Sequence, residues 1–293
     1  MNILIASDEK YIKHEKIMLA SLRENMPDEA IDVYFLHGKL EERIVSKFKD
    51  YLITELNVTM HSIELSSTPF DDCTIGMHLS IETMYRLIAT EVLPNSVDKI
   101  LWLDGDIIIN RSLNELYETD IGDYYLCACK GRGKIENYNI RLGLPKEYIY
   151  FNAGVLLLNI RKMRKDNILD RFKNIVLKYG DRLTWMDQDI LNIAFCQGGV
   201  RYLPSEIYNC QIGRDFRLTK SQYKTFMKTC CVMHFAAAAK PWNNTYINGM
   251  EKLYWKYALR DHRYMEYVRF MLFAPAISAY KRFRIRNMKQ YEF

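Results

Sequence analysis

Lys99-Ile-Leu-Trp-Leu-Asp-Gly-Asp106 runs from an apolar pentapeptide straight into two carboxylates separated by a glycine. A short apolar run closed by turn residues suits a strand buried on both faces. In open α/β sheets, ligands bind outside the carboxyl ends of the strands. Asp104 and Asp106 therefore stand where a ligand would arrive, in a turn that Gly105 makes tight. Hard divalent cations bind through one or two carboxylates completed by substrate phosphates. Asp and Gly are also ordinary turn residues, so the triplet alone favours a plain turn, and its place after a buried strand brings the two readings level.

Outward from this stretch, strands alternate with helices. Met1–Ser7 is a short apolar run, and Tyr11–Asn25 carries Ile12, Ile17, Leu19 and Leu22 at helical spacing before Pro27. Ile31–Leu36 reads as a strand, Glu41–Leu56 as a helix and Val58–Leu65 as a third strand. A helix opens at Ser80 and runs through Tyr85, Arg86 and Ile88 toward Pro94. Such alternation indicates βαβ units and a mostly parallel sheet. Downstream, Phe151–Asn159 and Val200–Pro204 read as strands, Ile160–Tyr179 as one helical segment and Asp187–Phe195 as a short helix. No repeat or linker interrupts the chain before about Arg260.

The chain has 293 residues, with 49% hydrophobic and 26% charged side chains, which excludes disordered and fibrous classes. The N-terminal apolar run is too short for a signal peptide, and no window is long and apolar enough for a spanning helix. The seven cysteines lack the paired spacing of a zinc site and read as reduced core thiols. Residues 260–293 carry eight basic and three acidic side chains, whereas the preceding 259 carry 33 of each. A neutral body without a nucleic-acid motif argues against nucleic-acid binding.

Six segments occur in the order of a known family: Ile3-Leu-Ile-Ala-Ser-Asp8, Thr83-Met-Tyr-Arg-Leu87, Leu101-Trp-Leu-Asp-Gly-Asp106, Tyr150-Phe-Asn-Ala-Gly-Val155, Met186-Asp-Gln-Asp-Ile-Leu191 and His234 through Trp242. On these the chain resembles glycosyltransferase family 8, which includes lipopolysaccharide galactosyl- and glucosyltransferases and the glycogenins. The resemblance covers most of residues 1–258. It implies an α/β GT-A nucleotide-sugar-binding fold with a mostly parallel mixed sheet, and a catalytic domain over residues 1–259. It further implies retaining, metal-dependent transfer of a hexose from UDP-galactose or UDP-glucose to an acceptor glycan or glycolipid. Bacterial cell-envelope glycan is the expected setting.

Carried over by position, Asp104, Asp106 and His234 would hold manganese, with magnesium as the alternative. Two carboxylates and an imidazole suit a borderline cation. Lys240 would reach the diphosphate. Ala6 and Asp8 would meet the uracil and ribose, and Arg86 the donor sugar or its phosphate. Gly105, Ala153 and Ala237 would line the donor site. Asn152, Asp187 and Gln188 would hold the hexose hydroxyls, with Gln188 and Asp187 nearest the chemistry. Ala237 stands where the family pattern has glycine, so altered loop geometry or weaker diphosphate binding is expected. A nucleotide-sugar-binding protein without transferase activity is the alternative. A nucleotidylyltransferase is disfavoured because the first strand is followed by no glycine-rich loop.

The final stretch, residues 260–293, mixes aromatic, Met and Leu residues with five basic residues from Lys281 to Lys289. That composition suits an interfacial segment on anionic lipid. It suggests a peripheral enzyme on the cytoplasmic, inner face of a membrane.

Overall fold

The computed structural model describes residues 1–71, 73, 80–133, 135–213, 216–236, 240–243, 249–273 and 275. A central sheet of seven strands orders them β3-β2-β1-β4-β7-β6-β8. These are β1 (Asn2–Ala6), β2 (Asp32–His37), β3 (Thr59–Glu64), β4 (Lys99–Leu103), β6 (Leu126–Lys130), β7 (Phe151–Asn159) and β8 (Val200–Leu203). Only β7 runs against its neighbours, pairing antiparallel with both β4 and β6. The remaining pairings are parallel. This is the mixed, mostly parallel α/β sheet expected.

Side-chain alternation explains why these strands form in the middle of the molecule. In β1, Ile3 and Ile5 join one core layer while Leu4 joins the other. β4 divides in the same way, with Leu101 and Leu103 on one face and Ile100 and Trp102 on the opposite face. Strands covered on both sides need continuous apolar runs, which these stretches supply. Helix α1 (Glu9–Asn25) closes one face through Ile12, Met18, Leu19 and Leu22, joined there by Phe48 and Leu52 of α2 (Glu42–Thr54). Asp8 caps α1, its carboxylate accepting from Tyr11 N at 2.8 Å.

A second sheet holds the three short strands β5 (Ile107–Ile109), β9 (Cys210–Gln211) and β10 (Val232–His234), in the order β5-β10-β9. β5 begins directly after Asp106, so the Asp-Gly-Asp turn is the crossing from the large sheet to the small one. The register sets His234 opposite Ile107 and beside Gln211.

Two expected helices differ from what is observed, and four strands were not expected. The helix expected from Ser80 is a 3₁₀ helix over Ile81–Ile88 with one α turn, Ala89–Val92, after it. The segment expected as one helix over Ile160–Tyr179 is two, Ile160–Lys165 and Ile168–Tyr179. Asn167, at φ 46°, takes the left-handed conformation that breaks it. The short strands β5, β9 and β10, and β6 with its Cys127 and Cys129, join the sheets without having been anticipated.

The boundary expected at 259/260 falls at the end of the Glu251–Arg260 helix. Beyond it, Arg263 donates to Tyr254 Oη at 2.9 Å and Phe270 packs on Trp255 with ring centroids 5.2 Å apart. The basic residues 281–289 lie outside the described residues. Among the described residues, no helix is long and apolar enough to cross a membrane.

Candidate metal and nucleotide-sugar site

One cleft of about 1000 Å3 opens at the carboxyl ends of β1 and β4, where Ala6, Asp8, Arg86, Asp104, Gly105, Asp106, Asn152, Ala153, Asp187, Gln188, His234 and Lys240 all come to its wall. Twelve of the thirteen residues singled out from sequence are thus gathered in one place. Ala237, the thirteenth, lies outside the described residues.

At the floor, Asp104, Asp106 and His234 offer ligand atoms within 4.8 Å of one another. His234 Nε2 lies 3.2 Å from Asp106 Oδ1 and 3.7 Å from Asp104 Oδ2. Backbone hydrogen bonds fix the three segments together: Asp104 N donates to Gly154 O at 2.9 Å and Phe235 N to Asp106 O at 3.0 Å. Gly154 is required for space. A Cβ there would sit 2.2 Å from His234 Cε1 and 2.8 Å from Asp104 Oδ2. Gly105 also answers a packing demand, because a Cβ would lie 2.7 Å from Glu15 Oε1.

Behind the imidazole a chain of amides sets its orientation. His234 Nδ1 donates to Asn209 Oδ1 at 2.9 Å, which turns Nε2 toward the carboxylates. Asn209 Nδ2 donates to Asn152 Oδ1 at 2.8 Å, and Asn152 Nδ2 to Gln188 Oε1 at 2.9 Å. Gln188 Oε1 also accepts from Ala153 N at 3.0 Å, and its Nε2 donates to Tyr150 Oη at 3.2 Å. Tyr150 Oη donates to Asp189 Oδ1 at 2.6 Å, and Asp189 is held by both Arg141 terminal nitrogens at 2.9 and 3.0 Å. Partners of this kind orient ligating imidazoles. Asn152 and Gln188 are therefore links in one network.

Arg86 holds two of the acidic groups in place. It is buried, lies over the Trp102 ring at 3.9 Å, and bridges Asp104 at 3.1 Å to Asp187 at 3.1 Å. It also donates to Ala153 O. Burial pushes the Asp187 carboxyl up to about 6, with Asp104 adding to it and Arg86 opposing. The Asp187 carboxylate faces Arg86, while Asp189 accepts from the loop amides of Thr184 and Trp185. Burial also opposes ionisation of Asp106, but Lys240 and His234 outweigh it and hold that carboxyl well below the usual range. Lys240 itself pairs with Asp106 and donates to Phe235 O at 2.9 Å.

Four contributors escaped the sequence reading: Asn209, Gly154, Asp189 and Glu15. Glu15 is buried on α1 beside Gly105, and among the described residues its Oε2 has no hydrogen-bond partner. Burial first, then Asp104 and Asp106, push its carboxyl well above the usual range. A cation against this floor would offset the buried carboxyls of Glu15 and Asp106 and the half-buried one of Asp104. The donor set of two carboxylates and an imidazole fits such an ion.

Comparison with known proteins gives the family and the fold. The pattern of glycosyl transferase family 8 matches residues 2–246. A Haemophilus influenzae protein carrying a glycosyltransferase name is 29% identical over 83% of this chain and 73% of its own. A lipopolysaccharide 1,2-glucosyltransferase of Escherichia coli is 24% identical over 93% of this chain and 86% of its own. The crystal structure of the galactosyltransferase LgtC, in complex with donor and acceptor sugar analogues, superposes with a TM-score of 0.75 at 28% identity, over 88% of this chain and 95% of that one. The chain belongs to glycosyltransferase family 8 and has the GT-A fold of LgtC.

Proposed function

From membership of that family we propose that the protein transfers a hexose, glucose or galactose, from a UDP-sugar to a cell-envelope glycan with retention of configuration. The observation that carries the reading is the convergence of Asp104, Asp106 and His234 on the cleft floor, with Asn209 orienting the imidazole. These three residues would hold manganese, with magnesium as the alternative. When bound, the cation would supply Lewis-acid stabilisation of charge on the departing diphosphate.

The chain's own residues supply the remainder. Lys240 adds positive charge at the same end of the cleft, where leaving-group charge grows. Ala6 and Asp8 sit where β1 ends and would meet the nucleoside. Gln188 has its amide oxygen committed to Asn152 and Ala153 N, and an amide is a weak nucleophile. Asp187 is tied to Arg86. Neither is free to attack the sugar, which favours displacement from the leaving-group face. The anomeric carbon–phosphate oxygen bond breaks as the acceptor oxygen–carbon bond forms, and the acceptor proton passes to the diphosphate.

The helical turns over residues 264–273 support a membrane-surface address on the inner face. Tyr264, Met265, Val268, Met271, Leu272 and Phe273 are exposed, while Arg263 and Phe270 face the body. Apolar residues at this spacing next to a basic sequence suit anionic lipid. Replacing Met271 and Leu272 by Glu in the full chain should abolish sedimentation with phosphatidylglycerol vesicles; undiminished binding would refute this part.

The transferase reading is tested by UDP release from a panel of UDP-sugars, with and without manganese, in wild type and Asp106→Ala. Manganese-dependent release from one donor, lost in the variant, is expected. Manganese-independent release, or equal release by the variant, would refute it.

A further inference from the structure

The cleft's charges are unevenly satisfied. Arg86 is paired with Asp104 and Asp187, and Lys240 and His234 face Asp106. Arg132 also lines the cleft, and among the described residues it has no carboxylate within ion-pair distance. Its loop is nevertheless held in place. Gly131 N donates to Tyr150 O at 2.8 Å, Arg132 N to Gln211 Oε1 at 3.0 Å, and Gln211 Nε2 to Lys130 O at 2.9 Å. The guanidinium gives one nitrogen to Gln211 O at 3.0 Å. Its Nε and second terminal nitrogen make no hydrogen bond among the described residues.

A Cβ on Gly213 would come within 3.0 Å of that guanidinium, so glycine gives it room. Gln211 in turn sits beside His234 in the β9–β10 register, which sets this cation one strand from the floor. A planar fork of N–H donors held by Gln211 O and without a carboxylate partner among the described residues matches a phosphate or carboxylate.

We infer that Arg132 is a specificity-determining residue that binds an anionic group, phosphate or carboxylate, of a bound substrate. The inference rests on the transferase reading and deepens it. That anion comes from the donor diphosphate or from an acidic substituent on the acceptor glycan.

Two calorimetric titrations of the full chain separate these sources, each run on wild type, Arg132→Ala and Arg132→Lys. The first uses UDP with manganese. The second uses methyl hexosides and their phosphate esters on protein already saturated with UDP and manganese. Arg132→Ala should lose about tenfold in affinity on one arm with its melting temperature unchanged, and Arg132→Lys should recover part of it. Loss on the UDP arm assigns the donor diphosphate; loss of preference for phosphate esters assigns the acceptor. Unchanged affinity on both arms overturns the inference. Wild type that fails to bind UDP at all would overturn the transferase reading, and this inference with it.

Discussion

The floor of the cleft and its rim are built on opposite plans. At the floor, Asp104, Asp106, Asp187, Arg86, His234 and Lys240 answer one another, and a run of amides from Asn209 to Gln188 leaves little freedom. At the rim, Arg132 has no carboxylate partner among the described residues and Trp185 is 42% exposed. Preorganised charge is what a metal–diphosphate site needs, because the protein does not reorganise during the reaction. An exposed rim is free to differ between relatives that share the floor, and acceptor choice would be set there.

The sharpest way to break this contrast is Gly154→Ala. With a Cβ 2.2 Å from His234 Cε1, the imidazole must leave its position. Manganese-dependent UDP affinity should fall by more than about a hundredfold, with roughly 1–3 kcal/mol lost in denaturant unfolding. Wild-type UDP affinity in this variant would show that the floor does not depend on that packing.

Asn209→Ala tests the layer behind. It frees His234 to turn, and about ten- to hundredfold weaker manganese binding, followed by paramagnetic resonance, is expected. Asn209→Asp, which still accepts from Nδ1, should recover much of it. An unaffected alanine variant would place the amide network outside the metal site.

A smaller effect marks where the floor meets the C-terminal helix. His14 stacks on Trp242 with centroids 3.7 Å apart and bonds Tyr254 Oη at 2.8 Å. Burial, then Arg263 and Lys13, push its imidazole down to about 2 from 6.5. The folded pKa lies below the unfolded one, so only the unfolded chain takes up a proton as pH falls through 6.5. Stability from this group is full above that pH and shrinks below it, by about 2 kcal/mol at pH 5. Melting temperatures of wild type and His14→Phe should therefore converge on acidification. A constant gap between them from pH 7.5 to 5 would contradict the assignment.

The smallest effect belongs to the rim. Trp185→Ala should raise the acceptor KM several-fold and leave melting temperature and UDP affinity unchanged, since its indole faces the cleft without bracing the floor. A matching loss of UDP affinity would erase the distinction between the two regions.

How much of this could be read from sequence follows the same divide between long and short signals. β1, β2, β4 and β7 are largely apolar runs of five to nine residues and were legible, as were β3 and the four-residue β8, whereas the five-residue β6 was missed. β5 and β10 have three residues and β9 has two, too short for any periodicity to register. Asp104, Asp106 and His234 stood out because each sits in a motif. Asn209 sits in Ile207-Tyr208-Asn209-Cys210, which announces nothing, and its role exists only because β9 lies against β10. Gly154 looked like part of an apolar strand. Its demand for space comes from a histidine 80 positions later, which no local pattern contains. Asn152 was legible through the family resemblance, although the partners present here are Asn209 and Gln188.

The central claim is that the Asp104–Asp106–His234 floor holds a divalent cation that in turn binds a nucleoside diphosphate. UDP affinity measured by calorimetry with and without manganese, in wild type and Asp106→Ala, tests it most directly. Tight binding by wild type only when manganese is present, with equally weak binding by the variant in both conditions, is the predicted result. Wild-type affinity that is the same with and without manganese would contradict it.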